Sequence, residues 1–241
     1  LRSALRYVRS TPGLLIPLVL MGVIGTLSYN FQTLMPLLAR FTFHGHAGTY
    51  AVLTTAMGVG ALVGALAASS RREIGPRLLV ASAVAFGVGL LMAAAAPTLD
   101  TEAISLALTG AASVTFASSV NSSLQLRVRP SMRGRVMALY SVVFLGSNPI
   151  GGPLMGWISG AAGPRAGLLL GSGAAIAGGL VARVAFKRMP DVNTGEHRAV
   201  QLHPDEGRRR AATAGRDARG RRGSPVRPAA ASADPGTAGT G

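Results

Sequence analysis

The sequence predicts an all-α membrane protein of six transmembrane helices with a disordered C-terminal tail, on three observations. Residues 14–39, 41–70, 78–99, 103–126, 136–164 and 166–182 contain no Asp, Glu, Lys or Arg. Crossing roughly 30 Å of hydrocarbon at 1.5 Å per residue takes about 20 apolar residues, with 17 as a lower bound, and every stretch meets it. These stretches also lack the polar residue at every third or fourth position that a solvated helix face requires. Finally, the formal charge of +15 lies almost wholly between and beyond them. A water-soluble domain has no means of covering so much uncharged helix surface.

Taken in order, residues 1–13 form a cytoplasmic amphipathic or linker segment. Arg2, Arg6 and Arg9 repeat at spacings of four and three, opposite Leu1, Leu5 and Val8. Such a segment lies at the membrane surface or simply supplies a positive flank. The six-helix domain occupies 14–186, with spans at about 14–38, 48–69, 78–98, 103–125, 137–160 and 166–186. Pro12 and Gly13 precede the first span, a polar turn from His44 to Gly48 follows it, Pro97 to Glu102 separate the third from the fourth, and Gly163, Pro164 and Arg165 separate the last two. Residues 187–241 form a basic, disordered cytoplasmic tail, rich in Arg, Ala, Gly, Pro and Asp and without hydrophobic periodicity. The chain begins at Leu1 rather than Met, carries no signal-peptide pattern and reads as a piece of a longer protein.

Arginine distribution predicts orientation, because basic loops remain in the cytoplasm during insertion. With the N-terminus inside, Arg2, Arg6, Arg9, Arg71, Arg72, Arg77, Arg127, Arg129, Arg133, Arg135, Arg183, Lys187 and Arg188 are cytoplasmic. Only Arg40 and Arg165 fall outside, beside Asp100 and Glu102. Both termini are thus expected in the cytoplasm of a multi-pass protein of the cell membrane. Arginine dominance, with Lys187 as the single lysine, suits a GC-rich, bacterial source.

No cysteine is present, which excludes disulfides and thiolate chemistry. No ionisable group falls in mid-span, so these helices offer no carboxylate at that depth for carrying protons. Neutral polar groups do occur there. Ser28, Tyr29, Asn30 and Gln32 occupy the outer half of the first span. On the fourth, Thr115, Ser118, Ser122 and Gln125 align on one helical face with Asn121 beside it. They wall a substrate cavity, or they join helices through hydrogen bonds worth less than about 2 kcal/mol. Gly58, Gly60 and Gly64, with Ala61, Ala65 and Ala68, form small ridges for close helix approach on the second span. The fifth span gathers Gly146, Asn148, Pro149, Gly151, Gly152, Pro153 and Gly156; its two prolines remove backbone donors, which makes it a moving element or a fixed kink.

Neither catalysis nor metal binding is expected. Ser159 and Ser172 adjoin glycines, but a hydroxyl nucleophile needs a base within reach. The histidines lie elsewhere, His44 and His46 in an outer turn and His197 and His203 in the tail. Two histidines are too few for a metal site, and no cofactor is implied. In the tail, Arg208, Arg209, Arg210, Arg216, Arg219, Arg221 and Arg222 suit anionic lipid headgroups. They lack interleaved aromatics for stacking bases, so no nucleic-acid partner is expected.

Three runs carry a family resemblance: L-R-S-A-L-R-Y-V-R-S-T-P before the first span, S-Y-N-F-Q-T-L-M-P-L-L-A-R within and after it, and P-S-M-R-G-R-V-M-A-L-Y-S before the fifth. From Leu1 to Phe186 the chain resembles the C-terminal half of major facilitator exporters, in the subgroup of enterobactin-type siderophore and macrolide-type drug efflux proteins. The resemblance implies helices seven to twelve of a twelve-helix fold. A missing N-terminal six-helix half would complete the cavity, and the first and fourth spans would line it, with Asn30, Gln32, Asn121 and Gln125 facing a small-molecule substrate. The string Gly151 to Gly156 is similar to an antiporter pattern of the other half. Gly64 to Arg77 occupies the place of a loop signature in which Ala68 stands where an aspartate is expected. Arg71, Arg72 and Arg77 remain there as a cytoplasmic charge latch or as topology determinants. The implied function is efflux by alternating access; a non-transporting fragment or scaffold is the alternative.

Overall fold

In a computed structural model the described residues are 2–69 and 75–188. Arg71, Arg72 and the tail beyond Arg188, with its arginine clusters and His197 and His203, lie outside them. Among the described residues every regular element is helical. The helices are α1 (Arg2–Arg9), α2 (Pro12–Ser28), α3 (Phe31–Leu37), α4 (Ala47–Ser69), α5 (Pro76–Ala95), α6 (Leu99–Arg127), α7 (Arg133–Ala162) and α8 (Pro164–Lys187).

Local sequence explains most of the boundaries. Pro12, Pro76 and Pro164 stand in the first turns of α2, α5 and α8, where a missing N–H leaves no bond unmade. Thr98 and Thr101 form a reciprocal capping box that starts α6. Gly163, at φ 87° and ψ 158°, makes the corner between α7 and α8 in a backbone region that side chains with a Cβ avoid.

Among the described residues, five helical runs combine the length and apolarity for a membrane crossing: Pro12–Thr42, Ala47–Ser69, Pro76–Ala95, Leu99–Arg127 and Pro164–Lys187. The sixth expected span corresponds to α7, whose 30 residues rise about 45 Å. Its length suffices, but its glycines, prolines, serines and Asn148 dilute the apolar content, so five runs rather than six meet both criteria. The helix continues unbroken through Pro149 and Pro153. The backbone break lies elsewhere, at Tyr29 and Asn30 inside the first expected span, and a π-helical turn at Leu38–Thr42 ends that run.

Small residues set the packing. A Cβ at Gly60 or Gly64 of α4 would overlap the α6 backbone at Ala107 or Ala111, and one at Gly110 would overlap Met57 of α4. The ridge predicted on this span therefore works through Gly60 and Gly64, whereas Gly58 faces open space. A Cβ at Gly89 of α5 would stand 2.6 Å from the Thr109 hydroxyl of α6, and one at Gly87 would stand 2.6 Å from Ile176 of α8. Gly22 and Gly25 of α2 meet Val143 and Ser147, while Gly171 of α8 meets the Leu27 carbonyl. These pairings run α2 and α7 parallel, α4 and α6 parallel, and α8 antiparallel to both α2 and α5. Gly13 lies under the Arg127 guanidinium, which places the start of α2 at the end of α6.

On α1, Ala4 and Val8 are fully buried while Leu5, Arg6 and Arg9 are exposed. The side of this helix that carries Ala4 and Val8 packs on α2 and α7. Large apolar side chains point outward from the bundle at Val59, Leu62, Val63 and Leu66 of α4 and at Leu145, Ile150 and Trp157 of α7. That is the inverse of a water-soluble domain and fits solvation by lipid tails.

Candidate substrate-facing stripe and the first-helix break

The break between α2 and α3 gathers one group of the expected cavity residues. Its backbone leaves helical hydrogen bonding for two residues, and neighbouring side chains take up the contacts. Ser28 Oγ donates to the Gly171 carbonyl of α8 at 2.8 Å, and Tyr29 Oη donates to the Ser113 carbonyl of α6. Asn30 Nδ2 donates back to the Thr26 carbonyl at 2.6 Å. Asn30 is only 4% exposed, and its amide presses on Gly151 of α7, where a Cβ would overlap both Asn30 and the Thr26 carbonyl. The break is thereby fastened to three helices. Tyr29 also joins an aromatic cluster, with ring centroids 5.1 Å from Phe86 and 5.7 Å from Phe144, and Phe144 stacks on Tyr140. Gln32 is exposed.

The second group lies on α6. Ser118, Asn121 and Ser122 are half-buried and Gln125 is exposed, so a polar stripe remains open on one helix face. Within it, Gln125 Nε2 donates to Asn121 Oδ1 at 2.6 Å, and Arg133 Nη2 donates to the Gln125 carbonyl at 3.3 Å. Thr115, by contrast, bonds its own helix at the Ala111 carbonyl, and Ser105, Thr109, Ser113 and Ser119 do the same one turn back. Back-bonded hydroxyls have spent their donors and serve packing.

The two groups are not brought together. The Tyr29–Ser113 bond fixes the register between the helices, and Asn121 lies eight residues further along α6, about 12 Å by helical rise. Gln125 is about 18 Å from that level. Asn30 and Asn121 thus stand at different depths, the first closed off by α7 and the second open.

On the other named positions, Gly152 and Gly156 make ordinary contact with Thr33, Gly146 faces open space, and Asn148 lies on the same helix turn. Arg77, Arg133 and Arg135 are exposed at the end of the bundle that also holds Arg127. Ser159 and Ser172 are buried, whereas His44 and His46 are exposed in the turn after α3. The described residues contain no cluster of three or more His, Asp or Glu suited to a metal. An open recess of about 690 Å³ at the far end of α3 is lined by Arg40, His44, His46 and Tyr50.

One residue escaped the sequence reading. Glu102, expected in an outer loop, sits in the first turn of α6 and is 0% exposed. The signal was present: Glu102, Ser105, Thr109 and Ser113 follow spacings of three, four and four, which extends the buried stripe of α6 by one turn.

Over residues 1–209 the sequence matches the family described as transmembrane secretion effector, a family of the major facilitator type. The chain belongs to that family. No curated protein and no solved structure matches it. The match reaches past Phe186, where the resemblance read from the sequence ended, into residues outside those described. As a transmembrane secretion effector with five apolar runs of spanning length, the protein is a multi-pass membrane transporter, and its family is one of transporters rather than enzymes.

Proposed function

We propose that this chain forms helices seven to twelve of a major facilitator exporter of small amphipathic molecules, of the drug, macrolide or siderophore class, in the bacterial cell membrane. Family membership supports transport, and one feature of the bundle carries the rest. The stripe Ser118, Asn121, Ser122 and Gln125 keeps hydroxyl and amide groups on an open helix face, whereas Ser105, Thr109, Ser113, Thr115 and Ser119 of α6 turn their hydroxyls back onto their own helix. Polar groups left open on a membrane helix are costly unless they meet water, a partner helix or a solute. In this reading they face a cavity completed by an N-terminal six-helix half, and solute crosses by rocking of the two bundles about a site near mid-membrane. Both termini lie in the cytoplasm, where the basic tail meets anionic headgroups.

The test joins this segment to its upstream coding sequence and follows efflux of a fluorescent drug from cells. Asn121→Ala with Gln125→Ala lowers the initial efflux rate by about tenfold, the equivalent of one lost hydrogen-bonded contact to the solute, at unchanged membrane abundance. Efflux equal to the parent would remove the stripe from the pathway.

A further inference from the structure

The described residues hold two carboxylate side chains, exposed Asp100 and fully buried Glu102. Neither Glu102 oxygen has a hydrogen-bond partner among the described residues. Among the described residues, Arg165, in the first turn of α8, is the charged group that acts on it electrostatically. That guanidinium is already engaged, because Nη2 donates to the Ala96 carbonyl at the end of α5 at 2.6 Å. Its Nε is buried and unpartnered. Glu102 and Arg165 therefore come from the first turns of α6 and α8, two of the helices that begin at this end of the bundle, and Ala96 marks the end of α5, which packs against both. The other groups on these elements are accounted for: Asp100 faces outward, and α5 carries no charged residue in its last turns.

A carboxylate stripped of water and without hydrogen bonds is costly, and two outcomes relieve the cost. The carboxyl can take a proton, or it can close onto Arg165 and draw that guanidinium away from Ala96. The two alternatives exclude one another, and they differ in how α5 is tied to α8. From the burial, the missing partners and the shared guanidinium, we propose that Glu102 is a proton-binding site. Its occupancy decides whether Arg165 holds the end of α5 or the start of α6. The 29 residues of α6 rise about 43 Å, more than the hydrocarbon core is thick, so this first turn lies at the membrane boundary and within reach of aqueous protons.

The inference concerns proton binding and stands apart from transport, so its test needs no substrate. Infrared difference spectra of the purified full chain in detergent, taken while pH is varied, report the carbonyl stretch of a protonated carboxylic acid in an apolar setting. The expected result is a titrating band that Glu102→Gln removes. In Arg165→Gln the band persists to a higher pH by about one unit or more, because the opposing charge that favours the carboxylate is gone. A spectrum in which Glu102→Gln removes no titrating band overturns the proposal. If Glu102→Gln does not yield folded protein, the Arg165→Gln comparison decides, and an unmoved titration overturns it equally.

Discussion

Tyr29 at the end of α2 donates its phenolic hydrogen to the main-chain carbonyl of Ser113 in the middle of α6, across 84 positions of sequence. This bond closes the backbone interruption inside the first membrane run against a neighbouring helix, with Phe86 and Phe144 packed about the ring. The ring and the hydroxyl can be separated by mutation. Tyr29→Phe keeps the aromatic cluster and costs about 1 kcal/mol, the usual scale of an interhelical hydrogen bond in a membrane. Tyr29→Ala removes the ring as well and costs about 3–5 kcal/mol. Unfolding from mixed micelles measures both, and equal losses in the two variants would place the whole contribution in the hydroxyl.

The close crossing of α4 and α6 depends on particular glycines rather than on glycine content. Gly60→Leu forces a side chain into the Ala107 backbone and should separate the helices, lowering stability by about 1–3 kcal/mol or more. Gly58→Leu, with nothing near its Cβ, changes stability by less than about 0.5 kcal/mol. Thermal denaturation followed by size-exclusion chromatography distinguishes them; comparable damage from both would argue against this crossing.

Asn30 and Asn121 should behave oppositely. Asn30→Ala empties a buried amide site between α2 and α7 and costs about 1–2 kcal/mol of stability. Asn121→Ala, on the open stripe, leaves stability within about 0.5 kcal/mol of the parent and acts on efflux instead. Melting curves of the two purified variants decide, and a stable Asn30→Ala protein would contradict the packing role.

At the α7–α8 corner, Gly163→Ala places a Cβ on backbone at φ 87° and ψ 158°, a strain of about 1–3 kcal/mol. Open space around that position means that the loss comes from the backbone alone. Gly163→Asn should be no better, since asparagine tolerates the left-handed helical region and not this one. Denaturant midpoints for the two variants provide the check; recovery with asparagine would mean that the corner relaxes into the left-handed region.

Much of the helix layout could be read from residues alone. Uncharged length places a helix in lipid whatever its neighbours are, so the ranges 48–69, 78–98 and 166–186 agree with α4, α5 and α8 to within a few residues at either end. The first span was harder. Ser28, Tyr29 and Asn30 are compatible with a continuous helix, and only their bonds to Gly171, Ser113 and Thr26 show where it breaks. Pro149 and Pro153 mark a place where a helix is able to bend, yet α7 continues through both.

By itself the sequence determined the class of protein, because solvation by lipid is a property of each helix separately: apolar length and the sorting of arginines need no tertiary partner. Which polar side chains remain available was decided only in the folded bundle. Asn30 and Asn121 are the same residue type, each within a run long and apolar enough to cross a membrane, and Asp100 and Glu102 are acids two positions apart. In each pair one is closed off and the other left open, because burial depends on which face of a helix meets a neighbour, and that is set by contacts between residues far apart in the chain.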